Sequence, residues 1–391
     1  MKHLVIAFLA VLSLAVSATE LEIKILTLSG EKAQPKTFAG IIVEPQRSID
    51  RAVELALSES RLKFSQFGIE PVVQRVELDP RLPITTQLQA VPPGGLYLLD
   101  LPKEVMLEVA LALENTKGIR VNVSITDTEL REELCSRSLF HAIPSDRMYF
   151  DALSQYLVYN GWRKVLLVHG TSEEDVKRKT ELATSIKRFG ATVEEERAFT
   201  LSHHPDDRDR NKPEFLTGQA SYDVVAVVDS VKDYGRKIEF NTRRPRPVVG
   251  DVGLVPRAWH FALERYGAPQ LNDRYRDLAP KLPDFRAAMT DNEFAAWASV
   301  KLVSNSLNEI HMTEDGIDLN RLFLDPDARV DLYKGTRGSF RDWNHQMRHP
   351  ILLTTQNYVA GIAPMPKFLH PKYYVDTLGK DRPESSCQLS Q

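Results

Sequence analysis

Residues 164–199, with the sequence KVLLVHGTSEEDVKRKTELATSIKRFGATVEEERAF, decide the fold of this chain. The apolar run 164–169 predicts a buried strand, and the amphipathic run 172–189 predicts a helix after it. Residues 191–199 are again typical of an extended strand, and glycines separate the three elements. A strand, a helix and a second strand in this order indicate a parallel sheet with helices packed against it, so we predict an α/β protein.

The same alternation continues on both sides of this stretch. Further strands are predicted at residues 22–28, 70–77, 95–99, 120–125, 223–228, 247–249, 340 and 351–354. Further helices are predicted at residues 48–64 with a serine cap, after Asp100-Leu101-Pro102, and at residues 145–160 and 293–309. The polar, helix-breaking residues 202–213 are interpreted as a surface loop, with a metal site as the alternative. A length of 391 residues is more than one hydrophobic core usually serves, so we predict two domains.

The N-terminus has the pattern of a secretory signal peptide. Lys2 precedes an apolar run at residues 4–16, and Val16-Ser17-Ala18 resembles a cleavage site. The run is shorter than the roughly 20 residues that a membrane span needs, and no later segment is long enough. We expect residues 1–18 to be removed after Ala18 and the protein to be periplasmic and not membrane-embedded. The alternative is a frayed N-terminal strand.

Charge and motifs exclude several classes of function. The formal net charge of −3 gives no concentrated basic face for nucleic acid, and the short basic run 243–246 is interpreted as a loop. The sequence contains no glycine-rich phosphate loop, no dinucleotide fingerprint, no serine flanked by glycines and no His-Glu-x-x-His pair. We therefore expect a non-catalytic protein without a resident cofactor or metal, although an active site of scattered residues is the alternative.

Two cysteines, Cys135 and Cys387, lie far apart in the sequence. In an exported protein such a pair predicts a disulfide, which would hold the polar tail at residues 376–391. Neither cysteine has the spacing of a zinc or redox motif. Two buried free thiols are the alternative.

Several segments resemble a known group of proteins. Residues 145–147, 152–157, 161–165 and 187–191 resemble the start of the second lobe of type I periplasmic binding proteins. Residues 253–260, 343–348 and 376–387 are similar to the subfamily of solute-binding proteins associated with pyrroloquinoline quinone (PQQ)-dependent alcohol dehydrogenase systems. The resemblance extends over essentially the whole chain after the predicted signal peptide.

The resemblance implies two Rossmann-like lobes joined by three chain crossings, with a ligand in the cleft between them. Lobe one would comprise residues 20–140 and 255–342, and lobe two residues 141–254 and 343–375. In open α/β sheets the ligand lies at the carboxyl ends of the strands. The loops expected at the cleft therefore follow Leu99, Ile125, His169, Val228 and Val249.

Four candidate site residues lie in the loops of lobe one. Asp100 either contacts the ligand or caps a helix. Lys103 lies in a first helical turn, where an anionic ligand would explain a cation, although a solvated lysine is the alternative. Ser124 and Thr126 either donate hydrogen bonds to a polar ligand or form a turn with Asp127.

The other candidates lie near the expected crossings. Trp259 and His260 either offer a stacking face for a planar ligand or pack against a helix. Trp343 and Arg348 fall at the third crossing, where the arginine either holds a carboxylate or forms an inter-lobe salt bridge. Arg147 has the same two interpretations.

Together with these residues, the resemblance implies a monomeric periplasmic protein that captures a small anionic ligand by lobe closure for an ABC transporter permease. The resemblance suggests PQQ or a metabolite of PQQ-dependent alcohol oxidation as that ligand. The alternative is a ligand-sensing partner of a membrane sensor or of a PQQ-dependent dehydrogenase.

Overall fold

The computed structural model describes residues 19–30, 47–202, 204–218, 221–278, 288–314 and 316–389. The predicted signal peptide, with its cleavage site after Ala18, lies outside the described residues.

The N-terminal part of the chain forms a parallel sheet of five strands in the order β2-β1-β3-β4-β5. Its strands are β1 (Thr19–Leu28), β2 (Ile69–Leu78), β3 (Leu96–Asp100), β4 (Ile119–Asn122) and β5 (Leu139–His141). Helices α1 (Asp50–Gln66), α2 (Ile84–Leu88) and α3 (Lys103–Ala112) connect them. Every residue of β3 and β4 is buried, as expected for central strands covered on both faces.

The middle of the chain forms a second parallel sheet, in the order β7-β6-β8-β9. Its strands are β6 (Lys164–His169), β7 (Thr192–Ala198), β8 (Val224–Val228) and β9 (Val248–Gly250). Its helices are α4 (Asp146–Tyr159), α5 (Glu173–Arg188), α6 (Pro205–Arg210), α7 (Pro213–Leu216) and α8 (Gly235–Ile238). The strand–helix–strand unit predicted from residues 164–199 is β6, α5 and β7, and the predicted α/β fold with parallel sheets is confirmed.

The C-terminal part adds elements to both halves. Strand β10 (Val255–Arg257) pairs antiparallel with β15 (Ile351–Thr354), which pairs with β16 (Val359–Ala363). Helices α9 (Ala268–Asp277), α10 (Asp291–Ser306) and α11 (Leu319–Leu324) follow β10. Two short hairpins are formed by β11 (Met312–Thr313) with β12 (Gly316–Ile317) and by β13 (Val330–Asp331) with β14 (Arg337–Gly338).

The buried apolar residues divide between two lobes. A first core joins β1, β3 and β4 to α1 and α10, and the chain stays in it up to Ile143. A second core joins α4, β6 and β8 to β15 and to residues near the C-terminus. The chain returns to the first core between Ala258 and Trp259, and to the second between Met347 and Ile351. The two cores are therefore linked by three closely placed segments of backbone.

Four local predictions were wrong. Helix α1 begins after Ile49, so its cap position holds an isoleucine without a side-chain cap rather than the predicted serine. Helix α3 begins after Pro102, and Asp100 is the last residue of β3 rather than a helix cap. Residues 202–213 include α6, since Pro205 at the first position and acidic residues in the first turn favour a helix start. Phe340 forms only an isolated bridge to Met347 and is not part of a strand.

Candidate ligand-binding cleft

The loops that follow the strands of the two sheets meet between the lobes. On lobe one, residues after β3 and β4 supply Lys103, Asp127 and Glu129. On lobe two, α5 follows β6 and supplies Lys177. Because parallel strands end at one edge of their sheet, these side chains lie where ligands of α/β proteins bind.

Four charged side chains bond to one another across this cleft, and we call them the mouth cluster: Lys103, Asp127, Glu129 and Lys177. The Nζ of Lys103 lies 2.6 Å from Asp127 and 2.7 Å from Glu129, all within lobe one. The Nζ of Lys177, from lobe two, lies 2.8 Å from each of the same carboxylates. Burial acts to raise the pKa of Asp127, but hydrogen bonds from both lysines hold it below its ordinary value. The cluster therefore joins the lobes through paired charges.

A second contact across the cleft joins Thr128 to Glu181. The hydroxyl of Thr128 donates to the Glu181 carboxylate at 2.8 Å and accepts from the backbone N–H of Arg147 at 3.3 Å. Burial, with the negative charge of Asp146, raises the pKa of Glu181 to about 7, against the effect of the Thr128 hydrogen bond. This contact is therefore sensitive to pH in the neutral range.

Deeper in the cleft, Asp291 connects the lobes at the hinge. The hydroxyl of Tyr149, from α4, donates to Asp291 at 3.0 Å, and the backbone N–H of Trp259 donates to its other oxygen at 3.0 Å. Burial raises the pKa of Tyr149 well above its ordinary value, so the phenol remains a donor. On the lobe-two side, Arg178 forms a two-pronged pair with Asp251 at 2.7 and 2.8 Å.

The predicted residues on lobe one lie at the cleft, but they bond to the protein. Ser124 accepts from the backbone N–H of Leu101 at 3.2 Å and donates to its carbonyl at 3.0 Å, which joins the loops after β3 and β4. The carbonyl of Thr126 accepts from the N–H of Asp146 at 2.7 Å, next to the first crossing. Lys103 belongs to the mouth cluster, and Asp100 is buried at the end of β3.

Trp259 and His260 differ in their burial. The Trp259 indole is 1% exposed, stacks on Phe294 with 4.6 Å between ring centres and donates to Asn272 at 3.2 Å. This arrangement corresponds to the packing interpretation. His260 is half-buried, and burial, together with the positive charge of Arg257, lowers its pKa to about 4. Its imidazole is therefore neutral at physiological pH.

The residues at the other crossings form internal salt bridges. Arg348 donates to both oxygens of Asp376 at 2.9 and 3.0 Å, and to Ser339 and the carbonyl of Phe340. Arg147 lies 3.1 Å from Asp151 within α4. The ring of Trp343 lies under the guanidinium groups of Arg341, Arg348 and Arg382. The structure thus brings Asp100, Lys103, Ser124, Thr126 and the backbone of Arg147 to the cleft region, and it places His260 near Asp291 at the hinge. Trp259 and Arg348 are buried within the protein, and Trp343 is half-buried beneath the arginines.

Sequence reasoning missed the residues that make the contacts across the cleft. Asp127 and Glu129 follow the expected loop after Ile125, and Lys177 and Glu181 follow the expected loop after His169. Their position after the strands was the available signal, but their pairing depends on how α5 faces the loop after β4. That orientation is a tertiary property that no local pattern contains.

The predicted disulfide is present, between Cys135 and Cys387. Across the described ranges, no group of three or more His, Cys, Asp or Glu side chains is arranged to hold a metal ion. Within the same ranges, no helix is both long and apolar enough to cross a membrane.

A cavity of about 510 Å³ lies outside the cleft, between α1, α10 and the β13–β14 hairpin. The cavity is lined by four cations and three carboxylates, Lys63, Lys301, Arg329, Arg337, Glu59, Asp327 and Asp331. Glu59 is already bonded to Arg274 at 2.6 Å and to the indole of Trp297 at 3.0 Å. With charges this closely balanced, the cavity has no strong field that selects one class of ligand.

Comparisons with known proteins match this chain to solved structures that share one fold. No protein-family model matches the chain, and no curated protein matches it. Among solved structures, the chain is similar to a leucine-, isoleucine-, valine-, threonine- and alanine-binding protein from Brucella ovis in a closed conformation. The TM-score is 0.66 at 14% identity, over 96% of this chain and 100% of that one.

Two further solved structures have the same architecture. A branched-chain amino-acid ABC transporter periplasmic ligand-binding protein from Burkholderia xenovorans has a TM-score of 0.65 at 9% identity, over 95% of this chain and 100% of that one. An ABC transporter solute-binding protein from R. palustris, in complex with benzoate, has a TM-score of 0.60 at 12% identity, with the same coverage. At these identities the likeness shows the fold alone, and that fold is the type I periplasmic binding protein fold.

Proposed function

We propose that this protein is a non-catalytic periplasmic solute-binding protein of an ABC transporter, which captures a small molecule by closing its lobes on it. The observation that carries the proposal is the mouth cluster, in which Lys177 of lobe two bonds to Asp127 and Glu129 of lobe one. These bonds exist only while the lobes are close together, so they favour one side of a hinge equilibrium. The likeness in fold to amino-acid-binding and benzoate-binding proteins supports the same function.

The strength of the mouth cluster suits a reversible closure. Its side chains are partly exposed, between 18% for Asp127 and 42% for Glu129. Ion pairs of this kind contribute only about 0.2–1 kcal/mol each, because solvent competes for the charges. The cluster therefore biases closure without locking it, and a bound ligand would supply the remaining free energy.

For the ligand we propose a small anion, with PQQ as the specific molecule that the sequence resemblance suggests. Two of the cations expected to bind it, Lys103 and Arg348, are bonded to the protein's own carboxylates. An anion would have to compete with Asp127 for Lys103, and such an exchange of partners yields little net free energy. Because Arg348 is held by the buried Asp376, we expect Arg348→Ala to lower the stability of the protein more than its affinity for the ligand.

Calorimetric titration tests this proposal with PQQ, leucine and benzoate as probes. We expect heat of binding with one of the three. The affinity of Lys177→Ala for that probe should be up to about 5-fold lower, because the variant loses the energy of about one exposed ion pair. Lys179→Ala is the matched control, since Lys179 lies on the same helix but pairs with Glu196, outside the cleft. Equal affinity of Lys177→Ala and Lys179→Ala would show that the mouth cluster does not contribute to ligand binding. Absence of heat with both PQQ and benzoate would count against the proposed anionic ligand, and heat with leucine alone would replace it with a zwitterion.

The sensing alternative makes a different prediction about partners. Cross-linking in cells should join this protein to a transporter permease if it serves import. Capture of a membrane sensor kinase or of a dehydrogenase instead would favour the sensing function.

A further inference from the structure

Residues 364–387, which we call the C-terminal strap, bond to both lobes. Met365, Val375 and Leu378 of the strap are buried in the core of lobe two. The side chain of Gln155, on α4, accepts from the N–H of Met365 at 3.0 Å and donates to the hydroxyl of Thr377 at 3.2 Å. The first part of the strap is therefore an integral part of lobe two.

Gly379 is the last residue of the strap whose backbone bonds to lobe two in the part of the chain that the structure describes. Its N–H donates to Asp151 at 2.9 Å, and its carbonyl accepts from Arg188 at 2.9 Å. Arg188 also donates to Asp151 at 2.7 Å and to Glu384, further along the strap, at 2.9 Å. Asp151 is fully buried, so this attachment is shielded from solvent.

The last part of the strap bonds to lobe one. Glu132, which is 2% exposed, accepts from the backbone N–H of Ser386 at 2.7 Å and from the hydroxyl of Ser385 at 3.0 Å. The Nζ of Lys380 lies 3.5 Å from the same carboxylate. The disulfide of Cys387 then joins the strap covalently to Cys135, three residues after Glu132.

We infer that the strap is a fourth connection between the lobes, and that the disulfide sets how far they can separate on this flank. The inference rests on the proposed function, because it assigns a limit to the lobe movement that the function requires. The eight residues from Lys380 to Cys387 span at most about 27 Å when fully extended. In the structure they include a 3₁₀ turn at Arg382–Glu384, so part of that length is slack.

The disulfide and the noncovalent contacts play different parts in this device. The bonds of Glu132 and Arg188 hold the strap folded while the lobes are closed, and they can break and re-form. The disulfide cannot open under oxidising conditions, so it keeps the strap attached when those bonds break. Without it, the three backbone crossings would be the remaining covalent connection between the lobes, because the bonds of Arg341 to Asp376 and Leu378 are noncovalent.

Distances between spin labels on the two lobes test this inference. Labels are attached through unnatural amino acids at Leu111, on α3 of lobe one, and Thr184, on α5 of lobe two, both of which are exposed. Double electron–electron resonance is recorded for the oxidised protein and for Cys387→Ser. We expect Cys387→Ser to show a longer mean distance and an added long-distance component that the oxidised protein lacks.

Two controls keep the result interpretable. Dithiothreitol should lengthen the distance in the otherwise unsubstituted protein but not in Cys387→Ser, and this comparison replaces the variant if its circular dichroism shows misfolding. Identical distance distributions for oxidised and reduced protein would overturn the inference. The measurement requires no ligand, so a failure of the proposed ligand class would leave its outcome readable.

Discussion

The cleft mouth and the C-terminal strap both join the lobes, but they do so with different chemistry. At the mouth, Lys177 pairs with carboxylates that are up to 42% exposed. At the strap, Asp376 lies between Arg341 and Arg348, and all three side chains are less than 10% exposed. The contrast shows how one molecule can combine a contact that opens easily with one that opens only at a high cost. Exposed charges separate cheaply, separating buried and paired charges costs several kcal/mol, and a disulfide stays closed under oxidising conditions.

The largest effect is expected from Asp376→Asn, which removes the anion between two buried guanidinium groups. Arg341 and Arg348 would keep their charges without the carboxylate that offsets their desolvation. We expect a loss of about 3–5 kcal/mol in the free energy of unfolding, measured by urea denaturation. Asp342→Asn is the matched control, because Asp342 pairs with Arg382 at an exposed position. A loss equal to that of the control would show that the buried pair does not stabilise the strap.

The second effect concerns the covalent end of the strap. Cys387→Ser opens a link between residues 252 positions apart. The loss should be about 2–5 kcal/mol, since a disulfide across a long loop restricts the unfolded chain. Urea denaturation with and without reductant measures it, and the reduced parent protein should match the variant. If reductant does not change the free energy of unfolding of the parent protein, this prediction is wrong.

A smaller effect is expected at the mouth, where Lys177→Ala should leave the free energy of unfolding within about 1 kcal/mol of the parent value. Its consequence should appear in the lobe equilibrium instead, as a larger radius of gyration in small-angle X-ray scattering at low salt. High salt should produce the same expansion in the parent protein, because it screens exposed pairs. Compactness that is insensitive to both changes would show that the mouth cluster does not bias closure.

The smallest effect is a pH dependence of closure through Glu181. Burial raises the pKa of Glu181 to about 7 in the closed form, and exposure to water on lobe opening should lower it toward the ordinary value of 4.5. Closure thus favours the protonated form: its contribution is full below pH 4.5 and is lost as the pH rises through 7. Scattering at pH 5 and pH 8 should show the more compact form at pH 5. Glu181→Gln should reduce the difference and the exposed control Glu196→Gln should not; an unchanged difference in Glu181→Gln would assign it to other groups.

Much of the fold was predictable because its determinants are local. The strand–helix–strand pattern at residues 164–199 depends on apolar periodicity and glycine turns, and these appear as β6, α5 and β7. The disulfide was predictable because the sequence contains two cysteines, which allow one pairing. By contrast, Phe340 has strand-like neighbours but no partner strand, so local propensity alone gave the wrong assignment.

The candidate site was harder to predict because several residue types have two uses. A tryptophan such as Trp259 suits a ligand or a core equally well, and only the position of Phe294 distinguishes them. Arg348 suits a bound carboxylate or Asp376, which lies 28 residues further along the chain. The partners of such residues are fixed by the tertiary arrangement, so their function could not be read from spacing.

Native mass spectrometry of protein isolated from the periplasm tests the central claim, capture of a small molecule, most directly. The account predicts a species that carries one small molecule in addition to the polypeptide and loses it on unfolding. Raising the collision energy should release that molecule and give its mass. A bare polypeptide in every charge state, from protein purified without dialysis, would contradict the claim.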